Sequence, residues 1–145
     1  MSTPSRLDLS HELLVCVFGA SRRLELAAFG LPGASWAVPE SGLFCAEIDG
    51  QRCDAHAPGM VVHGVAVHDD VPGARHAVIE LVHEEWGFAI TFHLVIYLGA
   101  AAIESWIVLR NNGTQPLRVT RLDSLALELP AGSYELLAFS GAWGA

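Results

Sequence analysis

Hydrophobic and polar residues alternate along much of the chain, in short runs separated by turn residues. Between Phe88 and Leu98 every second residue is large and apolar, whereas the residues between them are mixed. A period of two is typical of a β-strand that buries one face. No window of a dozen residues combines a helical period with capping residues. The same reasoning predicts strands over these segments: Leu13–Gly19, Leu24–Phe29, Leu43–Ile48, Met60–His68, His76–His83, Phe88–Leu98, Ile103–Arg110, Leu117–Leu129 and Tyr134–Phe139.

The turn residues between these runs indicate how the strands connect. Asp49-Gly50 and Asn112-Gly113 favour type I′ hairpin turns, which need positive φ at both central residues. A two-residue turn at Asp49-Gly50 places Cys53 opposite Ala46, so the thiols of Cys45 and Cys53 point to opposite sheet faces and cannot bond. Short strands with regular turns predict an antiparallel sandwich or barrel. The length of 145 residues suits a single domain over 1–145.

Charge and composition exclude several partners. Eight Arg, no Lys and sixteen Asp and Glu give a net charge of −8, which repels phosphate backbones and anionic lipids. We therefore expect no nucleic acid and no membrane partner. The stretch Trp86–Ile103 runs 18 residues without Asp, Glu or Arg, near the minimum for a membrane span. His93 in its middle, acidic flanks and its period of two favour a strand instead.

The cysteines and histidines do not predict a metal or disulfide framework. Three cysteines without a C-x-x-C pair indicate free thiols in a reducing compartment. With no secretory signal at the N-terminus, we expect a cytoplasmic protein. Of the seven histidines, His63 and His68 would lie on opposite faces of an unbroken strand. The sequence does not fix how His76, His83 and His93 approach one another, so no metal is predicted.

Three stretches near the C-terminus occur in a recognisable order. Ile103–Gly113 is an apolar strand that ends in Asn and a small turn residue. Pro116–Leu129 reads as apolar strand, Arg, two residues, Ser, apolar strand, and Tyr134–Trp143 is a closing strand followed by Gly-x-Trp. In this order and spacing they resemble the N-terminal domain of family 36 glycoside hydrolases, the bacterial-type α-galactosidases. Val78–Leu81 and Phe88–Tyr97 are similar to the paired strands that precede this point in the family.

The resemblance implies an all-β fold, an antiparallel β-supersandwich like galactose mutarotase, packed against the catalytic (β/α)₈ barrel of a longer polypeptide. It implies a parent reaction of retaining α-galactoside hydrolysis without a cofactor. Such hydrolysis needs two carboxyls about 5–5.5 Å apart. In the family both are Asp residues of the barrel, and none of the sixteen acids here matches them. The family's N-terminal domain also helps to build homo-oligomers, and in some members one of its loops borders a neighbouring subunit's active site. Trp36–Phe44 is the candidate for that loop.

Tryptophans are the candidate sugar contacts, because an indole face offers broad apolar contact to a sugar ring. The candidates are Trp36, Trp86 and Trp143, of which Trp86 follows an acidic turn and is the most plausible exposed platform. Packing is nevertheless the favoured role of Trp86, and of Trp143 against the barrel. Trp106 lies within an apolar strand and is expected in the core.

Two other functions stay open at this point. The chain could be a free-standing carbohydrate-binding module that binds galactosides. It could also be a small aldose epimerase-like protein, with His83 or His93 and Glu104 as acid and base on a concave sheet. The favoured interpretation is the non-catalytic N-terminal domain of an α-galactosidase-like enzyme.

Overall fold

A computed structural model of the chain describes residues 6–13, 15–20, 22–38, 43–127 and 131–135, with the side chains of residues 36–38 left out of the description. Within these residues every regular element is a β-strand. The strands are β1 (Arg6–Asp8), β2 (Val15–Ala20), β3 (Leu24–Leu31), β4 (Ala34–Val38), β5 (Leu43–Ile48), β6 (Gln51–Cys53), β7 (Met60–His68), β8 (Ala74–His83), β9 (Phe88–Tyr97), β10 (Ala102–Asn111) and β11 (Val119–Ala126).

The strands form three antiparallel sheets. Their orders are β1-β2-β3-β4, β10-β9-β8-β7 and β11-β5-β6. The second sheet holds the longest strands, and β8 and β9 pair without a break from Ala74 opposite Tyr97 to His83 opposite Phe88. The predicted all-β, antiparallel class is confirmed. The finer mutarotase-like topology stays a prediction.

One hydrophobic core draws side chains from all three sheets. Phe18 comes from β2, Phe44 from β5 and Phe92 from β9, and each is almost completely buried. The alternation that predicted β9 places its apolar side chains on this core: Phe88, Ile90, Phe92, Leu94 and Ile96. Side chains of this size bury the most apolar area and therefore contribute most of the stabilisation between the sheets.

The turn at Asp49-Gly50 forms as predicted. Asp49 has a φ of 51° and Gly50 a φ of 78°, the positive values that a type I′ turn requires. Ala46 lies opposite Cys53, and the thiols of Cys16, Cys45 and Cys53 are all free and buried.

The second predicted hairpin turn is wrong. After β10 the chain crosses to β11, which pairs with β5 in a different sheet, and Gly113 does not adopt a positive φ. The Asn111 side chain shapes this loop, because its Oδ1 accepts from the Gly113 N–H at 2.9 Å and its Nδ2 donates to the Gln115 carbonyl at 2.7 Å. The loop is also anchored to the β8–β9 turn, where the Asn112 N–H donates to the Gly87 carbonyl at 2.8 Å.

Strand boundaries differ from prediction mainly at the ends of the chain. The strand predicted over 117–129 covers Val119–Ala126, and the short strands β1, β4 and β6 are not among the predicted segments. The strand predicted over 134–139 lies mostly outside the described residues. The apolar stretch Trp86–Ile103 becomes β9 with its flanking turns and the start of β10. Across the described residues, no helix has the length and apolar character to cross a membrane.

Candidate functional site

The sheet β10-β9-β8-β7 has an outer face, on the side away from the core, that carries an aromatic cluster. Trp106 on β10 lies opposite His93 on β9, and their rings stack with centroids 4.6 Å apart and planes 5° from parallel. Trp106 is half-buried and does not belong to the hydrophobic core. The expectation that Trp106 is a core residue is therefore wrong, because the unbroken alternation of β10 turns this position outward.

Two histidines of the outer face are joined by a hydrogen bond. Nε2 of His76 lies 3.0 Å from Nδ1 of His93, and Nδ1 of His76 lies 3.4 Å from a carboxylate oxygen of Asp70. The carboxylate favours the tautomer of His76 with its proton on Nδ1, so that Nε2 accepts from His93. Burial lowers the pKa of His93, and the neighbouring His76 lowers it further.

A β-bulge changes the predicted placement of the histidines on β7. The register shifts between Val62 and Gly64, so both Val62 and Val65 point to the core although they are three residues apart. His63 and His68 therefore both point outward, and the prediction that they lie on opposite faces is wrong. His68 lies opposite His76, with ring centroids 6.0 Å apart. Among the described residues, no group of three or more His, Cys, Asp or Glu side chains is arranged to hold a metal ion.

The sequence did not predict this cluster of Asp70, His76, His93 and Trp106. The length of the turn at residues 69–73 could have predicted part of the cluster, because it fixes the register that places His68 opposite His76.

Of the two acid–base pairs suggested for an epimerase, only one shares a sheet face. Glu104 lies opposite Val95 and so is on the outer face, as is His93 two residues away on β9. Glu104 accepts a hydrogen bond from the Tyr97 hydroxyl at 2.8 Å, which raises the pKa of Tyr97. His83, by contrast, is only 1% exposed and stacks on the core residue Phe88.

Trp86 occupies the tight turn between β8 and β9 and lies against His83. The two rings stack with centroids 4.5 Å apart, and the backbone N–H of Trp86 donates to Nδ1 of His83 at 3.3 Å. Gly87 closes the turn with a φ of 67°, and its N–H donates to the His83 carbonyl. Trp86 is half-buried and packs against the core, so the indole contributes to packing while part of it reaches the surface.

Two shallow depressions share Trp86 as a wall. One, of about 410 Å³, also includes Gln51, Arg52 and Glu85, with His83 beneath. The other, of about 210 Å³, includes Asp49 and Gln51. Amide, guanidinium and carboxylate groups around a partly exposed indole are the groups that hydrogen-bond sugar hydroxyls while a ring stacks on the aromatic face.

The ring of His83 beneath Trp86 is also held from the β6–β7 side. Gly59 adopts a φ of 85°, and a Cβ atom at this position would lie 2.8 Å from Cε1 and 3.1 Å from Nε2 of His83. Only glycine fits here, because it has no Cβ and tolerates the left-handed backbone. The loop that carries Gly59 is in turn tied to β3, since Nε2 of His56 lies 3.0 Å from the Leu24 carbonyl oxygen.

The other sugar-contact candidates are less well placed. The backbone of Trp36 lies in β4 opposite Phe29, but its side chain is outside the described residues, as are residues 39–42 of the candidate loop Trp36–Phe44. Trp143 also falls outside the described residues. The structure therefore does not bring the three candidate tryptophans together in one described site.

Cys16 and Cys53 are poorly suited to nucleophilic chemistry. Burial raises the pKa of Cys16 to about 12, with a further contribution from Asp8, and it raises the pKa of Cys53 to about 11. Thiols with such pKa values remain protonated near neutral pH, and the thiolate is the reactive form.

Comparison with known families places most of the chain in one of them. The family model described as glycosyl hydrolase family 36 N-terminal domain matches residues 46–145, which is most of the chain and extends well before the segment that carried the resemblance in the sequence. No curated protein gives a significant match. No solved structure gives one either.

Proposed function

Since the chain belongs to the glycosyl hydrolase family 36 N-terminal domains, we propose that it is the non-catalytic β-sandwich of an α-galactosidase-like enzyme. Its role in that enzyme is to support the catalytic (β/α)₈ barrel and to help the subunits assemble in the cytoplasm. The match over residues 46–145 is the observation that carries this proposal. The all-β fold with a continuous core supports it, because such a domain provides a rigid surface for a neighbouring domain.

An exposed apolar strip on β11 is the surface we assign to the barrel. Leu122 and Leu125 are 43% and 40% exposed, and Val119 near the start of the strand is similarly exposed. Several large apolar side chains that stay exposed on one strand indicate an interaction site. The strip lies on the last described strand, and in the family the catalytic domain follows the N-terminal domain along the chain.

The test of this role is binding to a family 36 catalytic barrel that lacks its own N-terminal domain. We expect calorimetry to detect binding by the natural chain, and weaker binding by a Leu122→Ser, Leu125→Ser double variant. Leu31→Ser is the matched control and should leave binding unchanged. Leu31 is an exposed leucine like the two on β11, with 55% exposure, but it lies at the end of a different strand, β3. Absence of binding, or hydrolysis of an aryl α-galactoside by this chain alone, would contradict the proposal.

A second candidate function rests on the depressions beside Trp86. The half-buried indole with Asp49, Gln51, Arg52 and Glu85 around it supports a weak galactoside site. NMR titration with a methyl galactoside should then shift signals from the turn at residues 84–87. Trp86→Ala should abolish these shifts and Trp106→Ala should leave them. If the natural chain shows no shifts at high sugar concentration, this second function is excluded.

A further inference from the structure

Strand β10 is an unusually regular sheet edge. It runs for 10 residues, from Ala102 to Asn111, and pairs with β9 without a register shift. The other described edges are short or irregular: β1 and β6 have 3 residues each, β4 has 5, β7 carries a bulge, and β11 has two register shifts. Natural proteins shorten, bulge or charge their edges because a long regular edge pairs with another strand.

The free edge of β10 has few of these protective features. The strand contains neither proline nor lysine, and its charged residues are Glu104 and Arg110. Within the described chain β10 pairs only with β9. Its contact with β11 is made from the core side, where the Ser105 hydroxyl donates to the Ser124 carbonyl at 3.3 Å. Among the described residues no strand pairs with the far side of β10, so its backbone groups on that side can pair with a further strand.

The sequence of β10 is complementary to itself in one antiparallel register. When the strand is turned about a twofold axis at Ile107, Glu104 comes opposite Arg110 and Trp106 comes opposite Val108. All four side chains are on the outer face, since residues of equal parity share a face. Opposite charges and an aromatic–β-branched pair are the cross-strand combinations that stabilise a sheet.

The neighbouring registers lack this complementarity. An axis at Trp106 places Glu104 opposite Val108, and an axis at Val108 places Trp106 opposite Arg110. Val108 itself is 49% exposed, so pairing with a second strand would bury apolar surface at this position. Glu104 accepts a hydrogen bond from the Tyr97 hydroxyl at 2.8 Å, and a carboxylate has the capacity to accept further bonds from an arginine.

From these observations we propose that two copies of this chain associate through antiparallel pairing of β10 with β10, with the twofold axis at Ile107. The two outer sheets then join into one continuous eight-stranded sheet, because each copy contributes the four strands β10-β9-β8-β7. This inference deepens the assembly role given under the proposed function and specifies the surface that carries it.

The test is a charge-reversal series measured by sedimentation equilibrium from about 1 µM to about 1 mM. The variants are Glu104→Arg, Arg110→Glu and the double exchange. Each single variant places like charges opposite each other twice in the dimer, so its dissociation constant should rise by at least about tenfold. The double exchange restores both pairs and should return within about threefold of the natural chain. Arg23→Glu, an exposed arginine beside the start of β3, carries the same charge change and should have no effect.

Hydrogen exchange of the natural chain provides a second measurement that needs no substitution. The amides on the free side of β10 should become protected from exchange at high protein concentration, whereas the protection of amides at the β4 and β7 edges should not change. A natural chain that is monomeric throughout the range overturns the proposal. So does an Arg110→Glu variant that dimerises normally, or a double exchange that stays as weak as the single variants. Binding of the catalytic barrel depends on β11, so failure of this dimer leaves that binding intact and the two proposals remain distinguishable.

Discussion

Substitution of Gly59 by alanine tests whether the His83 ring is as firmly held as its contacts indicate. Gly59 has a φ of 85°, and a Cβ atom there would lie 2.8 Å from Cε1 of His83. The ring cannot move away easily, because it is 1% exposed and stacks on both Trp86 and Phe88. The added methyl group must therefore displace a packed ring.

The magnitude follows from two contributions. An alanine in the left-handed region costs about 1–2 kcal/mol, reduced somewhat by its smaller entropy in the unfolded chain. Overpacking a buried site adds about 1–3 kcal/mol. Gly73 is the matched control, since its φ of 71° is similar but a Cβ atom would contact nothing within 4 Å. We expect Gly73→Ala to lose about 1 kcal/mol of unfolding free energy and Gly59→Ala about 2–4 kcal/mol.

The assay is urea unfolding followed by tryptophan fluorescence, which also reports on Trp86 beside the ring. In a His83→Ala background the cost of Gly59→Ala should fall to that of Gly73→Ala, because the clash is removed. Equal losses for the two glycine variants in the natural background, within about 0.5 kcal/mol, would refute the reasoning.

Three further predictions follow from the pKa shifts. The pKa values of Cys16 and Cys53 are raised to about 12 and about 11, so a disulfide reagent at pH about 8 should label neither thiol until the chain is unfolded. The thiols of the unfolded chain ionise at lower pH than those of the folded chain, so the free energy of unfolding should fall as the pH rises above about 9. The pKa of His93 is lowered by burial and, to a smaller extent, by His76, so the unfolded state binds the proton more readily and stability should fall with decreasing pH near about 6.5. His93→Gln should flatten this dependence in urea titrations, and an unchanged slope would show that His93 is not desolvated in the folded chain. Because Glu104 raises the pKa of Tyr97, Glu104→Gln should lower the phenol pKa in an ultraviolet titration, with Tyr97→Phe identifying the signal, and an unmoved midpoint would show that the hydrogen bond is absent in solution.

The fold could be predicted where one face of a strand is buried. The period-two pattern located β5, β7 and β9 at nearly the observed bounds, since burial of alternate side chains fixes both the strand and its register. The pattern failed for β6, which has only 3 residues and is held by its hairpin turn rather than by its own alternation. The hairpin predicted at Asn112-Gly113 does not form, because a dipeptide that favours a turn does not determine which strand the following strand pairs with.

The candidate site depended on long-range registers that a single sequence does not encode locally. The β7 bulge brought His63 and His68 to one face, against their odd spacing. The stack of His93 on Trp106 follows from the pairing of β9 with β10, which places these two residues opposite each other. Neither residue type shows by itself whether it faces the core or the surface. Trp106 was expected in the core because its neighbours are apolar, but its parity on β10 matches Glu104 rather than Ile107.

The sheet β11-β5-β6 cannot be completed before β11 has been synthesised. The contact joins residues far apart along the chain: the Arg118 N–H donates to Oδ1 of Asp49 at a separation of 69 residues, and the Thr120 hydroxyl donates to Oε1 of Glu47 at a separation of 73. During synthesis β5 and its hairpin leave the ribosome long before their partner does. The apolar surface of β5 therefore stays without this partner until β11 has been translated, and non-local pairing of this kind is the topology that slows folding and exposes strand edges to aggregation.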